Sequence, residues 1–347
     1  MLVKNILLLA LSYLLAVTAV SAGRGKYCRA LRGRPGTCLP IEECESLRRL
    51  NRDQSVPFAL RVSLLRPSVC PGPGSDGTFC CNDETKYEGI QKLNQTDTCG
   101  IYNVAKGNTG EDLQVDAMPW MALLIYEDPA KKTSSLGING CAGTLITEKF
   151  VLTAAHCLFL NGIELKRVRL GNWIHCDGDN CESRYINFDI EKTIVHERYE
   201  NTSDIGNIAL LKLAETVEFK PYVRPICLPF DNNLQDKAKR NRIYHTIGFG
   251  QTENSQLTNN LMMTPVLGAS FFDCDSNKPL LCVKDSRICV ANIGSPVMNT
   301  YLVNGVHRAV QVGIVSNFKG ACGTEKLITS TELAQYIPWI SHKIVDE

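Results

Sequence analysis

The chain reads as an all-β protein preceded by a small cysteine-stapled segment. Three observations predict this. From Pro119 onward, short apolar runs alternate with Gly, Asn and Asp, among them Trp120–Tyr126, Thr144–Ile146, Phe150–Ala155 and Ile208–Leu213. Short strands separated by turns give that texture. Ahead of it, Cys28, Cys38, Cys44, Cys70, Cys80 and Cys81 crowd a segment too small to hold a large apolar core, so disulfides must staple it. At the far end, Glu332–Ile340 reads as a terminal helix despite Pro338.

The remaining elements follow in order. Residues 1–22 read as a signal peptide: Lys4, an apolar stretch from Ile6 to Val20, then Val20-Ser21-Ala22 as a small-residue cleavage site. The mature protein then begins near Gly23, secreted and soluble. Adjacent Cys80 and Cys81 cannot bridge each other without a strained ring, so they must reach in opposite directions. Glu45–Leu50 reads as a short helix and Pro71–Gly74 as a turn. Residues 82–98 are polar and suit a linker. The divisions drawn are 23–81, 82–106 and 107–347.

The 347 residues and 44% hydrophobic composition fit one large domain or two unequal ones. A formal charge of +1 selects no partner and gives no reason to expect nucleic acid. No later stretch is long and apolar enough to cross a bilayer. Sixteen cysteines, an even number, fit full pairing in an oxidising compartment. No Cys-x-x-Cys occurs and the six histidines are scattered, so neither a metal site nor a cofactor is expected. Asn94-Gln95-Thr96 and Asn201-Thr202-Ser203 are glycosylation acceptors in a secreted chain.

Thr153-Ala154-Ala155-His156-Cys157, with Cys141-Ala142-Gly143 upstream, resembles the histidine motif of trypsin-like serine proteases. The resemblance implies a double β-barrel with a C-terminal helix, and His156 at the general-base position. Asn207-Ile208-Ala209-Leu210-Leu211 is similar to the family's Asp-Ile-Ala-Leu-Leu block, with Asn in place of Asp. That aspartate fixes the imidazole tautomer, and an amide there costs about 10⁴ in turnover. Asp204 is three residues off register. After Cys289, the family's Gly-Asp-Ser-Gly-Gly-Pro reads Ala291-Asn292-Ile293-Gly294-Ser295-Pro296. Ala291 takes the place of the oxyanion-hole glycine. Asn292 replaces the aspartate that pairs with the new N-terminus after activation, and Ile293 replaces the nucleophile. Isoleucine has no lone pair with which to attack a carbonyl. The substrate-pairing Ser-Trp-Gly edge reads Ser316-Asn317-Phe318, and the position of a Lys/Arg-selecting acid falls at Arg287. The activation site reads Lys106-Gly107-Asn108-Thr109-Gly110, so cleavage after Lys106 frees a glycine whose ammonium would meet Asn292 instead of a carboxylate. Lys86 and Lys92 offer alternative cuts.

The first cysteine group, with nine, five, twenty-five, nine and zero residues between members, is similar to an arthropod clip domain. The whole resembles a clip-domain serine protease homologue. That resemblance implies the pairs Cys28–Cys80, Cys38–Cys70 and Cys44–Cys81 in the clip, Cys99–Cys227 as a tether, and Cys141–Cys157 and Cys176–Cys181 as loop closures. Cys274–Cys282 and Cys289–Cys322 complete the set, although Cys282 and Cys289 can exchange roles. The expected function is that of a non-catalytic regulator in an extracellular immune cascade in haemolymph. Its expected partners are clip-domain proteases and prophenoloxidase. A second reading is recognition of microbial surfaces, since residues 23–81 carry ten Lys/Arg against five Asp/Glu. A third is a residual endopeptidase.

Overall fold

The structure is a computed structural model and describes residues 27–29, 35–54, 56–66, 69–70, 77–81, 92–93, 97–102, 118–128, 133–136, 141–159, 163–171, 185–200, 205–230, 232–251, 257–269, 280–285, 293–319 and 326–346. The chain divides into two units, Met1–Ile90 and Gln91–Glu347.

In the first unit, β1 (Tyr27–Arg29), β2 (Pro35–Pro40) and β3 (Thr78–Cys81) form an antiparallel sheet in that order. Two helices follow β2: α1 (Glu45–Arg52), which covers the expected one, and α2 (Phe58–Leu65), which the sequence reading did not anticipate. Successive strand residues point to opposite faces, and β3 uses this to direct its two cysteines. Cys81 bonds Cys44 and packs with Leu47, whereas disulfide-bonded Cys80 lies in a separate cluster with the Cys38–Cys70 bridge. The side chain of Cys28 lies outside the described residues. The bridges close loops of 32 and 37 residues. In the chain-entropy model each contributes about 3–4 kcal/mol, which supplements a core this small.

The second unit holds two barrels. The first contains β4 (Met121–Asp128), β5 (Thr133–Leu136), β6 (Ala142–Leu145), β7 (Phe150–Thr153), β8 (Glu164–Gly171), β9 (Tyr185–Val195) and β10 (Ala209–Leu213). Their order is β5-β4-β6-β7-β10-β9-β8, and pairing of β4 with β8 closes the ring, leaving β5 as an appended hairpin. Leu124, Leu152, Val168, Leu170, Ile208 and Leu210 fill it, each fully buried.

The second barrel contains β11 (Ile243–Gln251), β12 (Leu257–Gly268), β13 (Leu280–Asp285), β14 (Pro296–Val303), β15 (Val306–Lys319) and β16 (Lys326–Glu332), closed in the order β11-β12-β13-β16-β15-β14. Tyr244, Val266, Val283, Val297, Val310 and Ile328 form its core. Asn304 (φ 49°) and Gly305 (φ 79°) make the two-residue turn between β14 and β15. Two successive positive φ values match the strand twist of a tight hairpin, and Asn-Gly adopts them readily.

A helix, α3 (Asn232–Arg240), lies between the barrels in sequence and buries Leu234 and Ala238 on the second one. Where the barrels meet, Thr144 on β6 donates from Oγ1 to Gln311 Oε1 on β15 at 2.6 Å, and Gln311 Nε2 donates to Gly313 O at 3.1 Å. Both side chains have zero exposure. The Cys99–Cys227 bridge ties residues 97–102 to the barrels. Gly100 is pressed so close that an added Cβ would lie 2.5 Å from Ala309 O, and its φ is +65°.

The C-terminus differs in detail from the sequence expectation. Leu333–Gln335 is a 3-10 turn, and α4 runs from Ile337 to Asp346. Pro338 sits in the first turn, where its missing N–H breaks no helical hydrogen bond, so it starts the helix instead of ending it. Tyr336 OH accepts from Gly206 N–H at 3.0 Å and Trp339 Nε1 donates to Glu197 at 3.0 Å, holding the segment ahead of Asn207.

Candidate functional site

His156 sits on the 3-10 turn Ala155–Leu158 that follows β7. Its loop is pinned twice: by the Cys141–Cys157 bridge and by buried Tyr126, which donates to Cys157 O at 2.9 Å. Burial pushes the Tyr126 hydroxyl well above the usual phenol range, so it stays a donor at any physiological pH. Pairing of β10 with β7, with Ala209 opposite Thr153, brings the residues just before β10 alongside the histidine turn.

Asn207 is one of those residues and is 5% exposed. The backbone N–H of His156 donates to Asn207 Oδ1 at 2.9 Å. An N–H needs an acceptor, so this contact fixes which arm of the amide is oxygen. The other arm is NH2, which can only donate, whereas a general-base histidine needs an acceptor for its second N–H. Behind Asn207, Thr331 Oγ1 donates to the Asn207 carbonyl at 2.9 Å and contacts Ser316 Oγ at 2.9 Å. Thr331 has one proton, already directed at Asn207, so Ser316 is the donor of that pair, with Ile314 O at 3.2 Å its alternative acceptor.

Ile293 lies opposite. Its carbonyl accepts from Ala142 N–H at 2.9 Å, and Gly294 N–H donates to Val315 O at 2.8 Å. The same carbonyl oxygen lies 3.6 Å from Cys157 Sγ. A disulfide sulfur carries no proton, so this is a packing contact that places Ile293 beside the histidine loop. Gly294 has φ +88°, and an added Cβ would fall 2.0 Å from Ala142 O and 2.5 Å from Thr153 Oγ1. The loop is therefore locked between the barrels at a spacing only glycine allows. The structure brings His156, Asn207 and Ile293 to one junction, where position 293 carries a branched hydrocarbon.

On β15, Ser316 is buried and Asn317 is exposed. Cross-strand pairing sets Asn317 opposite Thr329 and Phe318 opposite Ile328, which has zero exposure. Ile328 belongs to the core of the second barrel, and only strand register places it opposite Phe318. Ser295, two residues beyond Ile293, is fully buried, and its hydroxyl has no hydrogen-bond partner among the described residues. Ala291, Asn292, Arg287, Lys86 and Lys106, the sequons at Asn94 and Asn201, and Cys176–Cys181 and Cys289–Cys322 lie outside the described residues. Lys92 lies within them. Cys282 is disulfide-bonded, while Cys274 lies outside the described residues. Among the described residues no cluster of His, Cys, Asp and Glu could hold a metal ion, and no helix is long and apolar enough to cross a membrane.

Two barrels meeting at a histidine loop, in a chain that begins with a cysteine-rich unit, define a trypsin-like fold with an appended regulatory domain. The trypsin family model matches residues 108–340, and the model of the regulatory CLIP domain of proteinases matches residues 28–81. The chain belongs to the trypsin family and carries a CLIP domain. Its relatives include serine protease grass of Drosophila melanogaster, 29% identical over 370 residues and covering 96% of each chain. Phenoloxidase-activating factor 3 of Holotrichia diomphalia is 28% identical, covering 95% of this chain and 97% of the relative. The crystal structure of the Drosophila Grass clip serine protease of the Toll pathway superposes with a TM-score of 0.66 at 28% identity, covering 93% of this chain and 98% of that one.

Proposed function

We propose that the protein is a secreted, non-catalytic clip-domain protease homologue that regulates an extracellular proteolytic cascade. The observation that carries this is the pairing of Ile293 with Asn207 on an otherwise intact backbone junction. The nucleophile's place holds a side chain that cannot attack, and the histidine's partner is an amide that cannot accept its proton. Losing such members of a protease triad removes up to about 10⁶ of turnover. The retained fold leaves a protease-shaped surface able to engage what active relatives engage. The names of those relatives, a phenoloxidase-activating factor and a Toll-pathway protease, support clip-domain proteases and prophenoloxidase in haemolymph as the class of partner. Cleavage after Lys106 would release a loop and alter partner binding without assembling an active site.

The test is reconstitution. The purified protein is added to an activating clip protease and prophenoloxidase, and phenoloxidase activity is followed with and without it. A change in rate or yield supports regulation. An unchanged output across the haemolymph concentration range contradicts it. A Lys106→Gln variant that keeps the effect shows that cleavage there is not the trigger.

A further inference from the structure

The C-terminal turn of α3 and the two residues after it read Lys237-Ala238-Lys239-Arg240-Asn241-Arg242. Four of these six positions are cations, and all four are exposed. The run stands on a firm base. Leu234 and Ala238 pack into the second barrel, Asn241 N–H donates to Ala238 O at 3.2 Å, and Asn241 Nδ2 donates to Tyr301 OH at 2.9 Å. The buried Tyr244 hydroxyl also donates to Ala238 O. The helix end is held in place while its long basic side chains stay in water.

Two of the cations face an acid. Lys239 Nζ lies 3.0 Å from Glu332, and Arg240 lies 4.0 Å from Asp236. Among the described residues, Lys237 and Arg242 have no ion-pair partner. The Arg240–Asp236 pair is exposed, contributes little and is screened by salt, so Arg240 remains available to a stronger anion, whereas Glu332 is 15% exposed and holds Lys239 more firmly. The helix dipole favours cations in a last turn. It accounts for Lys239 and Arg240 but not for Arg242, which lies beyond the helix.

We infer that residues 237–242 form a binding site for a linear sulfated polysaccharide. A short Lys/Arg-rich run is the sequence mark of a heparin or nucleic-acid patch. Here no aromatic residue stands among the six to stack a base, which disfavours single-stranded nucleic acid. Lys237 and Arg240 are one helical turn apart, and Lys239 and Arg242 stand exposed within two residues of one or the other. Such an exposed cluster can meet sulfates repeating along a rod and needs no deep pocket. Affinity should arise from displaced counterions and fall steeply with salt. The inference does not depend on whether the junction at Ile293 is catalytic.

The test measures binding of a fluorescent heparin fragment to the full secreted chain from about 0.05 to 0.3 M NaCl, a range over which counterion release is readily seen. The variant combines Lys237→Gln, Lys239→Gln, Arg240→Gln and Arg242→Gln. A control carries Arg49→Gln and Arg52→Gln on α1. The site predicts at least about a tenfold loss and a shallower salt slope for the α3 variant, against less than about twofold for the control. Neutral dextran and duplex DNA of matched charge should bind at least about tenfold more weakly than heparin. If the fourfold variant is not secreted, Arg240→Gln with Arg242→Gln carries the test, since it leaves the Lys239–Glu332 pair intact. No binding by the unmodified chain at about 0.15 M salt overturns the inference. So does loss through α1 with α3 indifferent, or DNA binding as tightly as heparin.

Discussion

The His156 loop and the Ile293 loop meet at the same junction, are held by different means and end in different chemistry. The first is fixed by the Cys141–Cys157 bridge and Tyr126, and it presents an imidazole. The second is fixed by Ala142, Val315 and the glycine-only spacing at position 294, and it presents a branched hydrocarbon. Two loops are thus held at one junction while one carries an imidazole and the other a hydrocarbon. The features that hold the barrels together serve the fold and any surface it displays, so they can persist apart from reaction chemistry.

The largest expected effect breaks the Ile293 loop itself. Gly294→Ala must place a Cβ 2.0 Å from the Ala142 carbonyl, a backbone atom that cannot swing aside. With the positive φ, the cost should reach about 3–5 kcal/mol. Gly305→Ala is the matched control: it also has positive φ but meets nothing within 4 Å, so about 1 kcal/mol is expected. Thermal unfolding of both variants separates crowding from φ strain. Equal shifts would show that the 294 spacing is not what locks the loop.

A smaller effect tests the seam between the barrels. Thr144→Val removes the donor to Gln311 Oε1 and leaves a fully buried amide oxygen unpaired, at a cost of about 1–3 kcal/mol. Adding Gln311→Leu should recover part of that loss, because both partners are then apolar. No recovery would mean the pair is not acting as a unit.

The smallest effect concerns the segment leading to Asn207. His196 packs against Tyr336 and Trp339, and its Nδ1 accepts Arg198 N–H at 3.1 Å. Burial holds its pKa below the ordinary value of 6.5, with Arg198 and Lys343 adding repulsion and Glu197 opposing. The unfolded chain therefore takes up this proton first as pH falls. Stability from the neutral ring is complete above about pH 6.5 and declines as the pH drops toward the folded pKa. His196→Gln should flatten the fall in melting temperature between about pH 7.5 and 5.5. His245, also lowered by burial, keeps its share in both proteins. Identical pH profiles would remove His196 from the account.

The histidine loop and strands β4, β6, β7 and β10 were legible in sequence because the motif is dense and those apolar runs are short and separated. Two helices were not. In α3 the residues packed on the barrel, among the described ones, are Leu234 and Ala238, so one buried stripe is lost in a charged run. In α2, which follows Pro57, Phe58 is 71% exposed and blurs the amphipathic pattern. Ile293 and Asn207 could be located by counting from local motifs. Ile328 could not, because its place beside Phe318 depends on strand register, which adjacent residues do not encode.

The central claim is that the junction has no working nucleophile. The most direct measurement is labelling of the purified chain with a fluorophosphonate probe, before and after limited trypsin cleavage, with mass analysis of the labelled peptide. The account predicts no stoichiometric label on the native chain in either state. It also predicts little turnover for Ile293→Ser alone, since Asn207 still offers the imidazole a donor. Stoichiometric labelling of the unmodified chain, at Ser295 or any other residue of this unit, would contradict it.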